Sequence, residues 1–343
     1  MSRRSLTLAI AGVATVAAIL VTVFVPVPYV ILMPGPTLNT LGDSAGQPLI
    51  SITGHQTYKT TGHLNMVTVS YTGGPGSHLN VYQALRAWLD SSEAVVPEAE
   101  LFPVGQTAEQ TQAQDVEQMA SSQELATAAA LSQLHIAFQT EVEVVSTVAG
   151  YPASTVLKAG DVIVAVDGQA VTGTSSLSSM VTAHPAGSAL QLTVQRSGKT
   201  LIIPVASKSS GGKAVIGVEV QEQYNFPFTV KIDVENIGGP SAGMMFALGI
   251  IDMLTTDNLT GGKFIAGTGE ITAAGQVEAI GGIQQKMVAA RDAGATVFLA
   301  PAGNCSSTVG ATPAGLKVVK VSTLSQAVSD LEAIKAGKSV PSC

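Results

Sequence analysis

The chain has 343 residues, enough for about two domains with hydrophobic cores. Only 12% of its residues are charged, its net charge is −7 and it has no Lys/Arg cluster, which argues against nucleic-acid binding. Its five histidines are scattered, and neither H-x-x-x-H nor C-x-x-C occurs, so no metal site is expected.

The chain begins with an apolar segment. Residues 6–25 carry no charge, and at about 1.5 Å per residue a helix of this length spans about 30 Å, the thickness of a bilayer core. Arg3 and Arg4 precede it, which predicts a cytoplasmic tail (1–5), a single-pass anchor in the cell membrane and an extracytoplasmic remainder. A cleaved signal peptide is the alternative, although the segment is long for one.

Prolines and glycines divide the region that follows. Residues 26–36 indicate a proline-rich tether, and residues 48–71 alternate as strands do. Residues 78–90 predict a helix, residues 91–106 an acidic loop, and residues 107–134 a helix rich in Gln, Glu and Ala.

Residues 126–207 differ in character from the region before them. Strand, turn, short helix, two strands around an Asp-Gly turn, helix and hairpin follow in that order. This order, with "LKAGDVIVAVDGQAV" and "HPAGSALQLTVQRSGK", resembles a bacterial PDZ domain. The resemblance implies a groove in which a peptide adds a strand to an exposed sheet edge. We expect the groove loop near Leu134, His135 and Ile136, with His135 where glycine is usual; the alternative is a spacer domain that binds nothing.

The stretch "IGGPSAGMMFALGI" places Ser241 between a Gly-Gly-Pro turn and an apolar run. Serine is a favoured N-cap, so capping of a core helix is one explanation. The other is a nucleophile, because the free N–H groups of a helix start favour a developing oxyanion. We expect those donors near Pro240 and Ala242. Ser77 also follows a Gly-Gly-Pro turn, but no apolar helix starts there, which indicates a loop.

Lys286 belongs to a second predicted helix, residues 281–294. It shares the apolar stripe of Ile283, whereas Gln285 and Asp292 are expected on the other side. A lysine on such a stripe either extends its amine to solvent or stays desolvated with a lowered pKa and acts as a base.

Residues 235–304, from Glu235 to Asn304, resemble the proteolytic domain of the Lon family of serine proteases. The matching pieces are "GGPSAG", "AGTGEITAAGQVEAIGGIQQKMVAARDAGA" and "VFLAPAGN". The resemblance implies that Ser241 is the nucleophile, Lys286 the general base and Thr268 a supporting hydroxyl. One departure is Gly239, which occupies a position that is usually acidic in the family.

No G-x-x-x-x-G-K-[ST] sequence occurs, so the chain most resembles membrane-anchored bacterial Lon-like proteases that contain a PDZ domain and lack an ATPase module. The implied fold is an α/β (α+β) Lon-type proteolytic domain with an inserted mainly-β PDZ domain and one N-terminal transmembrane helix. The expected segments are 1–5, tail; 6–25, anchor; 26–125, first part of the protease domain; 126–207, PDZ domain; 208–337, catalytic part; and 338–343, C-terminal tail.

The implied function is ATP-independent cleavage of unfolded or extended protein segments outside the membrane by a Ser–Lys dyad, with the PDZ domain recognising peptides or gating access. No cofactor, metal or nucleic acid is expected. The expected partners are protein or peptide substrates and the membrane. The sequence does not decide whether the chain forms a homo-oligomer. The alternative is an inactive protease fold that serves as a membrane-tethered PDZ adaptor.

Cys305 and Cys343 are the only cysteines. In a translocated domain two cysteines can form one disulfide, and the strand and helix predicted between them can return the chain end to Cys305. Two unpaired thiols are the alternative.

Overall fold

The computed structural model describes residues 3–44, 46–234 and 237–343. The first two residues of the predicted tail, and Glu235, where the Lon-like run begins, lie outside the described residues. The chain divides into two compact units, the first of Met1–Ile136 with Phe228–Cys343 and the second of Ala137–Pro227.

The first unit opens with a long apolar helix, followed by short strands and three further helices. In chain order these elements are α1 (Arg3–Phe24), β1 (Pro26–Val27), β2 (Tyr29–Asn39), β3 (Asp43–Ser44), β4 (Gln47–Pro48), β5 (Ile50–Thr53), β6 (His63–Thr72), β7 (Leu79–Asn80), α2 (Val81–Trp88), β8 (Ala94–Pro97), α3 (Glu98–Leu101) and α4 (Ala108–Gln133). By length and composition α1 can cross a membrane, a test that a signal sequence also passes.

The second unit is mainly β. Its elements are β9 (Gln139–Thr147), a 3₁₀ turn (Pro152–Thr155), β10 (Val162–Val166), β11 (Gln169–Ala170), α5 (Thr174–Thr182), β12 (Ala189–Arg196), β13 (Lys199–Ala206), β14 (Lys208–Ser210), β15 (Lys213–Val215) and β16 (Val218–Asn225).

The chain then returns to the first unit in a run of alternating strands and helices. These elements are β17 (Thr229–Ile232), α6 (Gly243–Leu254), β18 (Phe264–Gly267), β19 (Glu270–Ile271), β20 (Val277–Glu278), α7 (Ile283–Asp292), β21 (Val297–Pro301), a 3₁₀ turn (Ala302–Asn304), α8 (Cys305–Thr308), β22 (Lys317–Val321) and α9 (Leu324–Lys335).

A six-stranded mixed sheet forms the centre of the first unit, in the order β22-β21-β18-β6-β2-β8. Strands β22, β21, β18 and β6 are parallel, while β2 runs antiparallel to both β6 and β8. Parallel strands buried on both faces are typical of sheets covered by helices. The short apolar runs "FIAG" and "VFLAP" fit such strands.

Helices cover the sheet on opposite faces. Ala266 of β18 packs in one cluster with Ile283 and Met287 of α7. The next residue, Gly267, faces α6, where an added Cβ would meet the Met245 Sδ at 2.7 Å. Since successive strand residues point to opposite faces, α6 and α7 lie on opposite sides of β18. Residues that follow β18 can therefore meet the ends of both helices.

Two predictions for the region after the anchor are wrong. Residues 26–36 are not a tether, because β2 pairs with β6 and β8 and buries Val30 and Ile31. Pro34 and Pro36 of β2 lie where the register between β2 and β6 shifts. No hydrogen bond of the sheet therefore requires a backbone N–H from Pro36. Residues 91–106 are not only a loop, since β8 forms the sheet edge and α3 follows it.

The sheet of the second unit has the order β13-β12-β10-β9-β16, with β11 paired to β10. The boundaries of the second unit, Ala137–Pro227, differ from the range 126–207 expected for the PDZ domain. Residues 126–136 stay with the first unit because α4 continues to Gln133 and packs on α6. Strand β16 belongs to the second unit because it pairs with β9 along its length.

Candidate active site

Ser241 lies in a turn before α6 and does not cap that helix. The helix begins at Gly243, and Ala242 occupies the N-cap position without a side-chain capping bond. Gly239 has φ +84°, a conformation that favours glycine. The N-cap explanation is therefore wrong, and the Ser241 hydroxyl has a different partner.

Helix α4 holds this turn in place from more than a hundred positions away in the sequence. The Gly239 N–H donates to the Asp115 carbonyl oxygen at 3.1 Å, and the Ser122 Oγ donates to the Pro240 carbonyl at 3.0 Å. A Cβ at Gly238 would come within 2.5 Å of the Asp115 Cβ, so this position needs glycine. Sequence analysis missed Asp115 and Ser122, because nothing local to α4 indicates this long-range contact.

Lys286 and Thr268 complete the cluster around the Ser241 hydroxyl. The Lys286 Nζ lies 2.7 Å from the Ser241 Oγ and 3.0 Å from the Thr268 Oγ1. Thr268 directly follows β18, is fully buried and donates its hydroxyl proton to the Ser241 carbonyl at 2.8 Å. The structure thus brings together the serine, the lysine and the threonine that sequence analysis selected.

The lysine amine does not reach solvent. Lys286 is only 3% exposed, and among the described residues no carboxylate forms an ion pair with it. Desolvation lowers the pKa of Lys286 to about 7. Near neutral pH a large fraction of the amine is therefore uncharged, and its lone pair can accept the Ser241 proton.

The single-stripe prediction for α7 is partly wrong. Asp292 is exposed as expected, but Gln285 is only 4% exposed. Helix α7 contacts β2, β6, β21 and α8, so neighbours cover more of its surface than one apolar stripe.

The expected oxyanion donors need a correction at Pro240. Proline has no backbone N–H, and its carbonyl instead accepts from Ser122 and from the Gly243 N–H. Within residues 3–44, 46–234 and 237–343, the Ser241 and Ala242 N–H groups have no hydrogen-bond acceptor. These two amides are the candidate donors beside the Ser241 hydroxyl.

Backbone conformation favours glycine at position 239, where the Lon family usually has an acidic residue. An added Cβ there would meet open space, but the positive φ would strain any other side chain. Asp115 lies beside the same turn from α4, and burial raises the pKa of its carboxyl. A carboxyl group is thus close to the serine turn although position 239 supplies none.

Two family models match parts of the chain. Residues 229–332 match the Lon protease (S16) C-terminal proteolytic domain, and residues 112–206 match a PDZ domain. The chain carries a Lon-type proteolytic domain. With the PDZ domain, it has the mixed α/β fold that the resemblance implied.

Individual relatives match over short stretches. A Lon protease of Clostridioides difficile (strain 630) is 49% identical over 63 residues, which are 18% of this chain and 8% of the relative. A Lon protease of Koribacter versatilis (strain Ellin345) is 35% identical over 97 residues, 28% of this chain and 12% of the relative. The matched stretches thus span about a tenth of these relatives.

Among solved structures, the PDZ domain of an SdrC-like protein from Listeria monocytogenes is similar to part of the chain. The two are 23% identical, and the match covers 23% of this chain and 85% of that one with a TM-score of 0.22.

A groove of about 480 Å³ adjoins the serine turn of the Lon-type domain. Helix α4 forms one wall and β19 the other. Burial, and secondarily the charge of Glu278, raises the pKa of Glu270 in this groove. The lining residues are Gln114, Glu117, Gln118, Ser121, Ser122, Leu125, Pro240, Glu270 and Ile271.

The residues of the predicted PDZ groove loop lie at a helix end. Leu134, His135 and Ile136 lie in the first unit, where they close the C-terminus of α4. The His135 N–H donates to the Ser132 carbonyl and the Ile136 N–H to the Leu131 carbonyl, the pattern of a Schellman motif. His135 has φ +56°, which is why glycine is usual at this kind of position.

Strand β16 is the sheet edge that faces a helix in the second unit. It pairs with β9 and contacts α5 through residues that alternate between half-buried and exposed. Glu222 of β16 accepts hydrogen bonds from the Thr174 N–H at 2.7 Å and Thr174 Oγ1 at 2.9 Å, and so reaches the start of α5. The alternating "VEVQEQYN" run is a sequence signal that could have identified this strand.

Cys305 and Cys343 are joined as a disulfide, with Cα atoms 5.0 Å apart and a separation of 38 positions in sequence. The chain end is also held by β22, where the Lys320 N–H donates to the Pro341 carbonyl at 3.2 Å.

Proposed function

We propose that this protein is a membrane-anchored serine endopeptidase that cleaves unfolded or extended protein segments outside the cytoplasmic membrane without ATP. The observation that carries the proposal is the 2.7 Å separation between the Ser241 Oγ and a buried Lys286 Nζ whose pKa is lowered to about 7. The Lon-type domain supports the same class of reaction.

Acylation begins when the Ser241 Oγ gives its proton to the neutral Lys286 Nζ and bonds to the scissile carbonyl carbon. The carbonyl electron pair moves onto its oxygen, where the Ser241 and Ala242 N–H groups can donate. Collapse breaks the C–N bond, and the Lys286 ammonium returns the proton to the leaving amine. Thr268 accepts an N–H of the lysine and so keeps the lone pair aimed at Ser241.

Deacylation repeats these steps with water. Neutral Lys286 takes a proton from a water molecule, and the hydroxyl oxygen bonds to the acyl carbon. The ester C–O bond then breaks, and Lys286 returns the proton to the Ser241 Oγ. The same residue therefore serves as base and acid in both halves of the reaction.

The groove between α4 and β19 supports an extended substrate. It runs to Pro240, so a chain lying in it would place a peptide bond near Ser241. No P-loop sequence occurs in the chain, and we therefore propose that segments enter already unfolded.

The PDZ domain would bind peptides at β16 beside α5, by addition of a strand to the sheet edge. The Glu222 contact to Thr174 spans this space and supports a gating role, because a peptide that enters fully must displace it.

Reconstitution of the full chain in lipid vesicles tests the proposal. An unstructured protein substrate should be cleaved without ATP by the wild type and by Ser77→Ala, whose serine lies in the other Gly-Gly-Pro turn, but not by Ser241→Ala. Peptide binding by a wild type that cleaves nothing would instead support the adaptor alternative.

A further inference from the structure

Helix α2 presents an apolar face to solvent. Its inner side includes Ala87, which is fully buried with Leu79 and Ile31. Its outer side carries large apolar and aromatic groups at helical spacing. These are Tyr82 at 57%, Leu85 at 51%, Trp88 at 75% and Leu89 at 82% exposure.

The start of α2 is fixed rigidly. Asn80 and Gln83 form a reciprocal capping box, with bonds of 2.8 Å from the Gln83 N–H to the Asn80 Oδ1 and 3.0 Å from the Asn80 N–H to the Gln83 Oε1. The exposed face is therefore presented by a capped helix that packs on the core, and not by a loose loop.

Helix α2 begins where α1 ends. Strand β1 follows α1 after one residue and pairs with β7, which places Pro26 opposite Asn80. The Val81 N–H also donates to the Val25 carbonyl at 3.3 Å. If α1 crosses a bilayer, the first turn of α2 is within one hydrogen bond of the point where the chain leaves it.

We propose that α2 lies in the interfacial layer of the membrane that α1 crosses, with the Tyr82, Leu85, Trp88 and Leu89 face among the lipids. The proposal rests on α1 acting as an anchor, which is part of the proposed function. Trp and Tyr favour the boundary between headgroups and acyl chains, because their rings are apolar and carry one polar group. The helix carries a single charged residue, Arg86, whose guanidinium is paired with Glu93 at 2.9 Å.

A bilayer fits this face better than a second copy of the chain or a soluble partner. Because the chain joins α2 to the end of α1, lipid lies beside α2 wherever α1 spans a bilayer, whereas a protein partner must be recruited. A second contact with the bilayer would also restrict rotation of the Lon-type domain about the short link after α1.

Trp88 is the only tryptophan in the chain, so its fluorescence reports on α2 alone. The full chain is reconstituted in phosphatidylcholine vesicles, with or without bromine on the acyl chains. We expect emission shifted to the blue, at least about twofold quenching by the brominated lipid, and poor quenching by aqueous acrylamide. Strong acrylamide quenching without bromine quenching would overturn the proposal, as would protection from both, which would indicate a protein partner.

Matched variants and flotation separate the possible failures. Leu85→Glu with Leu89→Glu should reduce the bromine quenching of Trp88 to near background, while Val309→Glu, at an equally exposed apolar residue of the same unit, should not. Flotation with vesicles in high salt reports on α1: failure to float contradicts the anchor and with it this proposal. Flotation without quenching contradicts the role of α2 alone, and peptide cleavage, measured separately, tests the dyad.

Discussion

Two buried ionisable groups, one in each unit, have opposite surroundings. Lys286 of the Lon-type domain is 3% exposed and hydrogen-bonds two hydroxyl groups, and desolvation lowers its pKa to about 7. Asp161 of the PDZ domain is 1% exposed, and its carboxylate accepts two bonds of 2.6 Å from Arg196. The Arg196 hydrogen bonds, aided by a bond from the Lys158 N–H, lower the pKa of Asp161 despite burial.

The contrast distinguishes a buried charge that stabilises the fold from a buried amine that can take up and release a proton. The Arg196 pair keeps Asp161 ionised, so this group joins strands and does not change its proton at ordinary pH. Lys286 is buried without a counter-ion among residues 3–44, 46–234 and 237–343, which costs stability and prepares an amine that exchanges protons near neutral pH. Changes at the two sites should therefore affect different properties of the protein.

The largest expected effect follows substitution of Lys286. Lys286→Met should lower peptidase activity by at least about 1,000-fold, because the general base is removed. It should also stabilise the domain by about 2 kcal/mol at neutral pH, since a desolvated amine is replaced by an apolar side chain of similar length. Activity assays and urea unfolding measure the two effects.

The stabilisation should depend on pH in a defined direction. The folded pKa of about 7 lies below the unfolded value of 10.5, so the unfolded chain binds more protons between these values. The gain from Lys286→Met is thus largest at and below pH 7 and shrinks towards pH 10.5. Lys231→Met, at an exposed lysine, is the control, and a Lys286→Arg variant with substantial activity would contradict the assignment.

Removal of the disulfide should change the stability of the same unit at a place away from the dyad. Cys343→Ser opens a loop of 38 positions, which the chain-entropy model values at about 4 kcal/mol, with measured effects often smaller. We expect a lower unfolding midpoint with the pH profile of activity unchanged. Intact mass after alkylation without reductant should show no modified cysteine in the wild type, and two modified cysteines would rule the bridge out.

A smaller effect is expected from Arg196→Met, which leaves Asp161 buried without its ion partner. The PDZ domain should lose thermal stability while cleavage of short peptides is retained. Because the folded pKa of Asp161 is lowered, the stabilisation is present above the unfolded pKa of about 3.8 and is lost as the pH falls through the folded value. Calorimetry from pH 2 to 7 measures this, and Arg196→Met combined with Asp161→Asn should recover part of the loss.

The dyad was predicted through the resemblance to the Lon family, whose motifs are local; the residues alone left a capping serine and a solvent-reaching lysine open. A Gly-Gly-Pro turn, an apolar helix and a lysine in the first turn of the next helix each occupy a short motif, and the parallel sheet brings them together after β18. The contribution of α4 was not predictable in this way, since Asp115 and Ser122 reach the serine turn by contacts that leave no trace in either segment.

Other predictions from the sequence differ from the structure for identifiable physical reasons. Pro34 and Pro36 suggested a tether, but a register shift in β2 accommodates them within the sheet. Leu134, His135 and Ile136 were expected in a peptide groove, but they end α4 in the first unit, and the sheet edge beside α5 is β16, at the other end of the second unit. Element types are encoded locally, but which strand completes a sheet edge depends on pairing across the unit.

The pH dependence of labelling by a serine-directed fluorophosphonate tests the dyad most directly. The labelling rate of the wild type should rise with pH through a midpoint of about 7, as Lys286 loses its proton. Labelling should be absent in Ser241→Ala and reduced to a slow rate without this midpoint in Lys286→Met. Equal rates for the wild type and Lys286→Met across the pH range would contradict the account.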